Sequence, residues 1–175
     1  MRRRRIAPRE PESREGRRPS AFARRNGPAH PRAKGRDMFR TLMVPVDLAH
    51  EKTLANALGV AADLARHWGA KVVYVGVTSP TPGALAHTPE EFGEKLAAFA
   101  AAQAVAHGIE ATSHAAIAHD PTTEVDDALL RAVDDTGADL VVMQSHLPGL
   151  LDYVWPSNGG KIAGHAKASV MVVRG

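Results

Sequence analysis

The sequence predicts a doubly wound α/β domain on a five-stranded parallel sheet, and three observations predict it. Apolar runs of strand length alternate with longer segments of helical periodicity; three of the helical segments end at a glycine, Gly69, Gly108 and Gly137; and each glycine leads almost at once into the next run of strand character. Repeated βα units of this kind need parallel strands with helices over both faces.

The elements follow in order. Thr41 to Val46 is a strand buried on both faces, because its residues show no polar alternation. The next segment sets Leu54, Leu58, Ala61, Ala65 and Trp68 on one helical face and stops at Gly69, where a left-handed C-cap favours a residue without Cβ. Val72 to Val77 is a second buried strand. Beyond a loop containing Pro and Gly, Phe92, Leu96 and Phe99 mark a helix from Pro89 to His107, closed by Gly108. A weaker strand covers Glu110 to Ala118. Asp120 is expected to N-cap a third helix with Pro121 at its first position, Val125, Leu129 and Ala132 as its buried stripe, and Asp126, Asp127, Asp134 and Asp135 as its solvated face. Leu140 to Met143 is the fourth strand, Ser157 to Ala166 a short helix, and Ser169 to Val173 the fifth strand.

Charge divides the 175-residue chain in two. Residues 1–37 hold 13 Arg and Lys against 4 acidic residues, leaving 9 basic and 15 acidic residues from Met38 onward. The first segment, with Arg2 to Arg5, Arg17-Arg18 and Arg24-Arg25 interleaved with prolines, cannot bury enough apolar surface to offset its ordering entropy, so a disordered basic arm is expected. Such an arm suits nucleic acid or an anionic membrane surface. It has no secretory apolar core, and Glu10, Glu12 and Glu15 run against an organellar transit peptide, so a cytoplasmic location is expected. The simpler account is that translation starts at Met38, whose Met-Phe-Arg leads directly into the first strand. The acidic remainder, residues 38–175, is expected to be one domain that binds neither nucleic acid nor membrane; no apolar run approaches the roughly 18 residues of a membrane span.

The absence of cysteine excludes disulfides, thiolate metal sites and a cysteine nucleophile. No Gly-x4-Gly-Lys-Ser/Thr loop, Gly-x-Gly-x-x-Gly turn or Gly-x-Ser-x-Gly elbow is present. His107, His114, His119 and Asp120 make a poor metal set, since His114 and His119 are five apart on a strand and so face opposite sides. No catalytic residue is assigned.

In doubly wound sheets ligands sit beyond the carboxyl ends of the strands, where strand order reverses. The segment after the fourth strand, Val142 to Asn158, is a polar turn that returns to a Ser-capped helix, an arrangement that offers hydroxyls and backbone N–H groups to an anion such as a phosphate chain. Ser157 either caps that helix or donates to a phosphate oxygen. At the other end of the domain's sequence, a fifth strand at the sheet edge would expose Val170 to Val173 to promiscuous pairing, and a twofold homodimer would bury it.

Three stretches, Phe39-Arg-Thr-Leu-Met-Val-Pro-Val-Asp47, Gly137-Ala-Asp-Leu-Val-Val-Met-Gln-Ser-His146 and His165-Ala-Lys-Ala-Ser-Val-Met-Val-Val-Arg174, resemble the universal stress protein family over the whole of residues 38–175. The nearest branch has Ser-His-x-Pro after the fourth strand and Gly-Ser-Asn before the last helix, which here are Ser145-His146-Leu147-Pro148 and Pro156-Ser157-Asn158. The resemblance implies an adenine nucleotide alpha hydrolase-like sheet of order 3-2-1-4-5, and ATP, with Mg2+ as its companion, bound by a homodimer that acts in stress response. It implies Pro45, Val46 and Asp47 against adenine and ribose, Val77 against the base, and Met143, Gln144, Ser145, His146, Ser157 and Asn158 around the phosphates. The resemblance favours ligand contact for Asp47; capping the helix that follows is its alternative role. Two departures bear on the phosphates: Gln144 stands where a glycine is usual, and Pro156, which lacks an N–H, replaces the glycine before Ser157. The implied function is a nucleotide-binding regulator with slow turnover at most; the alternative is an interaction module of the same fold without nucleotide.

Overall fold

The computed structural model describes residues 38–120, 123–145 and 158–174, with the backbone alone for 158 and 159. The expected arm at 1–37, Pro121, and the turn from His146 through Ser157 lie outside the described residues. Strands β1 (Thr41–Pro45), β2 (Lys71–Thr78), β3 (Ala111–Ile117), β4 (Leu140–Ser145) and β5 (Ser169–Arg174) form one sheet in the order β3-β2-β1-β4-β5. Every neighbouring pair is parallel. Helices α1 (Ala55–Trp68), α2 (Pro89–His107), α3 (Val125–Thr136) and α4 (Asn158–His165) make the crossovers. Because the chain grows outward from β1 through β2 to β3, then returns to the other side for β4 and β5, α1 and α2 cover one face and α3 and α4 the other.

Successive side chains of a strand point to opposite faces, so each central strand feeds two cores. Leu42, Val44, Val72, Tyr74, Leu140 and Val142 meet Leu58, Phe92, Leu96 and Phe99 under α1 and α2. Met43, Val73, Val75, Val141 and Met143 meet Leu129, Val133 and Ile162 under α3 and α4. Burial on both sides is why these strands are continuous apolar runs, each large side chain contributing roughly 1.5–3 kcal/mol.

The three expected C-cap glycines have positive φ, 69°, 62° and 62° at Gly69, Gly108 and Gly137, the region in which a Cβ would be strained. At the start of α2, Thr88 Oγ1 accepts from the Glu91 amide at 3.2 Å, while the Glu91 carboxylate accepts from the His87 amide at 2.8 Å. That reciprocal arrangement is a capping box shifted by one residue. Lys95, one turn on, donates to Glu91 at 2.7 Å; with the His87 amide it lowers the Glu91 pKa to about 2.

Asp139 closes the amino ends of the strands. Its carboxylate accepts from the Arg40 amide at 2.8 Å and the Thr41 amide at 3.1 Å, its own amide donates to the Thr41 carbonyl, and its carbonyl accepts from the Ser169 amide. One residue thereby aligns the starts of β1, β4 and β5.

The third helix departs from expectation. It begins at Val125, not Pro121, and the side chain at its entrance is Glu124, whose carboxylate accepts from the His119 amide at 2.9 Å. Asp120 contributes its carbonyl, which accepts from the Thr123 and Glu124 amides in a turn ahead of the helix. Nor is the acidic face simply solvated: the Asp126 side chain is only 13% exposed and 3.8 Å from Lys161 of α4, and Asp127 accepts from the same lysine at 2.9 Å. Lys161 lowers the Asp127 pKa and has its own raised, chiefly through that hydrogen bond.

Candidate functional site

Strand order reverses between β1 and β4: the chain leaves β1 toward β2 and leaves β4 toward β5. Two neighbouring strands whose connections diverge leave a crevice at their carboxyl ends. The residues there are Pro45, Val46 and Asp47 from β1, and Gln144 and Ser145 from β4, with Val77 one strand away on β2.

The end of β1 is stitched to β2 by the Val46 amide, which donates to the Val75 carbonyl at 2.8 Å. Asp47 then caps a short 3-10 segment, Leu48–Leu54, that leads into α1; its Oδ1 accepts from the Ala49 amide at 2.9 Å. Its Oδ2 lies 2.8 Å from Nδ1 of His50, a residue that interrupts the segment with φ −128° and ψ 38°. Capping, one of the two roles open to Asp47, is therefore realised. It does not exhaust the carboxylate: the side chain is 37% exposed, and two carboxylate oxygens offer about four acceptor positions.

Gln144 lies on the same face of β4 as Val142, toward α1. Its Oε1 accepts from the Ala57 amide at 3.0 Å, and its Nε2 is 3.4 Å from the Ser145 carbonyl. Ala57 is in the first turn of α1, where amides lack helical partners, so Gln144 fastens β4 to α1. This tie was not foreseen from sequence, because it joins residues 87 positions apart. The His50 contact has a local signal in the Asp47-x-x-His50 spacing.

The other predicted residues divide. Val77 is half-buried on the side of α3. Met143 is packed into the core beneath α3, and Ser145 is half-buried in register with Arg174 of β5. The Asn158 backbone opens α4. His146 and Ser157 fall outside the described residues.

Among the described residues, no group of three His, Asp or Glu side chains could hold a metal ion, and no helix is long and apolar enough to cross a membrane. His114 of β3 faces Asp135 at 3.8 Å, while His119 lies beyond the end of its strand. A hollow of about 310 Å³ at the opposite end of the sheet is lined by Ala65, Arg66, Gly69, Gly108 and Glu110. Helix C-termini meet there, and Arg66 is committed to the His107 carbonyl and Asp63, so it offers no anion site comparable to the crevice.

The family model for the universal stress protein family matches residues 38–174. The chain belongs to the universal stress protein family. Solved members share its fold at low identity. A universal stress protein solved in complex with cAMP aligns with TM-score 0.59 at 20% identity, over 78% of this chain and 97% of its own. A family member from Burkholderia pseudomallei gives 0.57 at 22%, over 78% and 96%. One from Arabidopsis thaliana, solved with AMP bound, gives 0.50 at 17%, over 77% and 91%. The sheet order expected from the family resemblance is thus the order found, and the crevice of this universal stress protein lies where its β1 and β4 part.

Proposed function

We propose that this universal stress protein binds an adenine nucleotide, ATP with Mg2+ included, in the crevice between β1 and β4, and that it acts in the cytoplasm as a homodimeric stress-response regulator with slow ATP turnover at most. The observation that carries the proposal is the accessible carboxylate of Asp47 at the switch point of the sheet, where the connections of β1 and β4 diverge. Asp47 can accept from a ribose hydroxyl or the adenine amine, and the half-buried Val77 offers apolar surface, with Val46 packed behind them in the core. Pro45, Met143 and Ser145 would complete the wall, and His146, Ser157 and Asn158 would serve the phosphates. The family members solved with cAMP and with AMP support this reading.

Isothermal titration of ATP and AMP into the full chain tests it. Micromolar binding is expected. Asp47→Ala should weaken it by about tenfold or more, the worth of a hydrogen bond to a charged acceptor, and the lost cap should lower folding stability by only about 1 kcal/mol. Failure of the natural protein to bind either nucleotide refutes the proposal in favour of a nucleotide-free interaction module. An unchanged affinity in Asp47→Ala refutes the placement of the nucleoside.

For the dimer, the support is β5 itself, an edge strand on which Met171 and Val172 are 37% and 43% exposed. Exposed apolar edges invite pairing, and a second copy is the economical cover. Val172→Lys should convert the dimer to monomer in sedimentation velocity, with the thermal midpoint little changed. A natural protein that sediments as a monomer at micromolar concentration would remove the dimer from the proposal.

A further inference from the structure

The geometry points to a second self-association surface on the edge of the sheet away from β5: β3 pairs antiparallel with β3 of another copy, about a twofold axis through His114. Nothing in this inference depends on the nucleotide. The hydrogen bonds to β2 fix which way the backbone of β3 points. The Val72 amide donates to the Glu110 carbonyl and the Ala118 amide to the Thr78 carbonyl, at the two ends of an unbroken register that runs from Val72 opposite Ala111 to Thr78 opposite Ile117. In a parallel ladder every second residue turns its N–H and C=O to the neighbouring strand. Thr112, His114 and Ala116 therefore face β2. Ala111, Ser113, Ala115 and Ile117 turn both groups outward, where they meet no hydrogen-bond partner among the described residues. Edge strands are commonly blunted by a lysine, a proline or a bulge. β3 reads Ala-Thr-Ser-His-Ala-Ala-Ile in continuous register and has none of these.

The occupant that fits is a second copy, because the strand is complementary to itself. Turned about His114, Ala111 meets Ile117 of the partner subunit and Ser113 meets Ala115 of the partner subunit. All of these are outward-turned residues, so every open N–H and C=O on the two edges is matched. The side chains agree: Ile117, 51% exposed, covers the small Ala111 of the partner subunit, and Thr112 lies opposite Ala116 of the partner subunit. His114 meets its own copy, and Asp135 stands 3.8 Å from it as a counter-charge. The flanking helices set no bare like charges against each other. α2, which packs on β3, has no charged residue from Ala97 to Ala106, and its outward side carries Ala101 and Val105; at the end of α3, Asp134 is engaged by Lys167. A seven-residue strand of small side chains makes a small interface, at or below the low end of the stable range at about 1,200 Å². Pairing is therefore expected on the order of a hundred micromolar, above the concentrations at which β5 would act.

The test is sedimentation of the full-length chain between about 5 and 500 μM, with amide hydrogen exchange followed at both ends of that range. The sedimenting mass should double across it. At the higher concentration the amides of Ala111, Ser113, Ala115 and Ile117 should become protected, while those of Thr112, His114 and Ala116, already bonded to β2, stay slow throughout. Ala115→Pro removes an outward N–H that the single subunit does not use and sets a ring against the incoming strand, so it should abolish the doubling with the thermal midpoint little changed. His114→Lys leaves a cation beside Asp135 but puts two ammonium groups face to face across the axis, and it too should abolish the doubling; it decides the matter should the proline variant fold poorly. Val172→Lys, aimed at β5, should still double. A mass that does not grow by 500 μM, or growth that persists in Ala115→Pro and His114→Lys, would overturn the inference. So would growth lost in Val172→Lys, or growth without new protection at the outward amides, since either places the contact elsewhere. A failure of β5 to pair leaves the inference standing, with a monomer instead of a dimer as the unit that doubles.

Discussion

Raising the pH from 10 to 12 should remove about 2–3 kcal/mol of folding stability through Tyr74 alone. Tyr74 is fully buried in the core beneath α1 and α2, edge-on to Phe99 with ring centroids 5.3 Å apart. Its hydroxyl has no hydrogen-bond partner among the described residues. Burial penalises the phenolate and pushes the pKa up to about 12 from 10.0. In the unfolded chain the hydroxyl ionises near pH 10, while in the folded protein it keeps its proton for about two further pH units. The folded state thus binds more protons in that window, and stability falls as pH rises through it; below pH 10 the contribution is constant. The measurement is urea unfolding at a series of pH values for the natural protein and Tyr74→Phe. The difference between the two should grow by the stated amount between pH 10 and 12. At neutral pH the phenylalanine variant should be more stable by about 1 kcal/mol, because a buried hydroxyl without a partner costs more than a hydrogen in its place. Parallel curves across the whole range would show that the hydroxyl finds a partner or water in solution.

The second large effect belongs to Gly76, in the middle of β2. A Cβ there would stand 2.7 Å and 2.8 Å from Cζ and Cε1 of Phe92, and 3.3 Å from a Leu96 methyl. The glycine is needed for the close approach of α2 to the sheet, since both side chains are buried and neither can move into solvent. Gly76→Ala should therefore cost roughly 1–3 kcal/mol, and Gly76→Val more, as overpacking of a filled core does. The diagnostic is a double-mutant cycle with Phe92→Leu, which removes the ring the new methyl would meet. The pair should be less destabilised than the sum of the single variants by about 1 kcal/mol or more. Simple additivity would mean that the strain is relieved somewhere other than at Phe92.

Residue pattern made the architecture legible to a large extent. The α2 boundaries, Pro89 and His107, are those expected, because a Thr-Pro start and a glycine stop are local chemistry. The same holds for Gly69 and Gly137, whose left-handed conformation follows from what the next strand requires. The start of α3 was misjudged for an equally local reason. Asp120 and Glu124 are both acceptable at a helix entrance, and only the folded turn decides that Glu124 reaches back to the His119 amide. Asp126 was placed in solvent by periodicity, yet it sits beside Lys161 because α4 returns across α3, a contact no periodicity contains.

The candidate site divides along the same line. Asp47 was identifiable because it follows a buried strand, and its cap lies within three residues of it. Gln144 drew notice in the sequence only through the family resemblance, which implies a glycine at its position. Its hydrogen bond to Ala57 spans 87 positions and exists because β4 inserts next to β1, beneath the start of α1. Strand and helix identity depend on side-chain spacing and end chemistry, which are written along the chain. Which carboxylate, amide and carboxamide share a crevice depends on the crossovers that bring β1 and β4 together, and that is a property of the packed sheet.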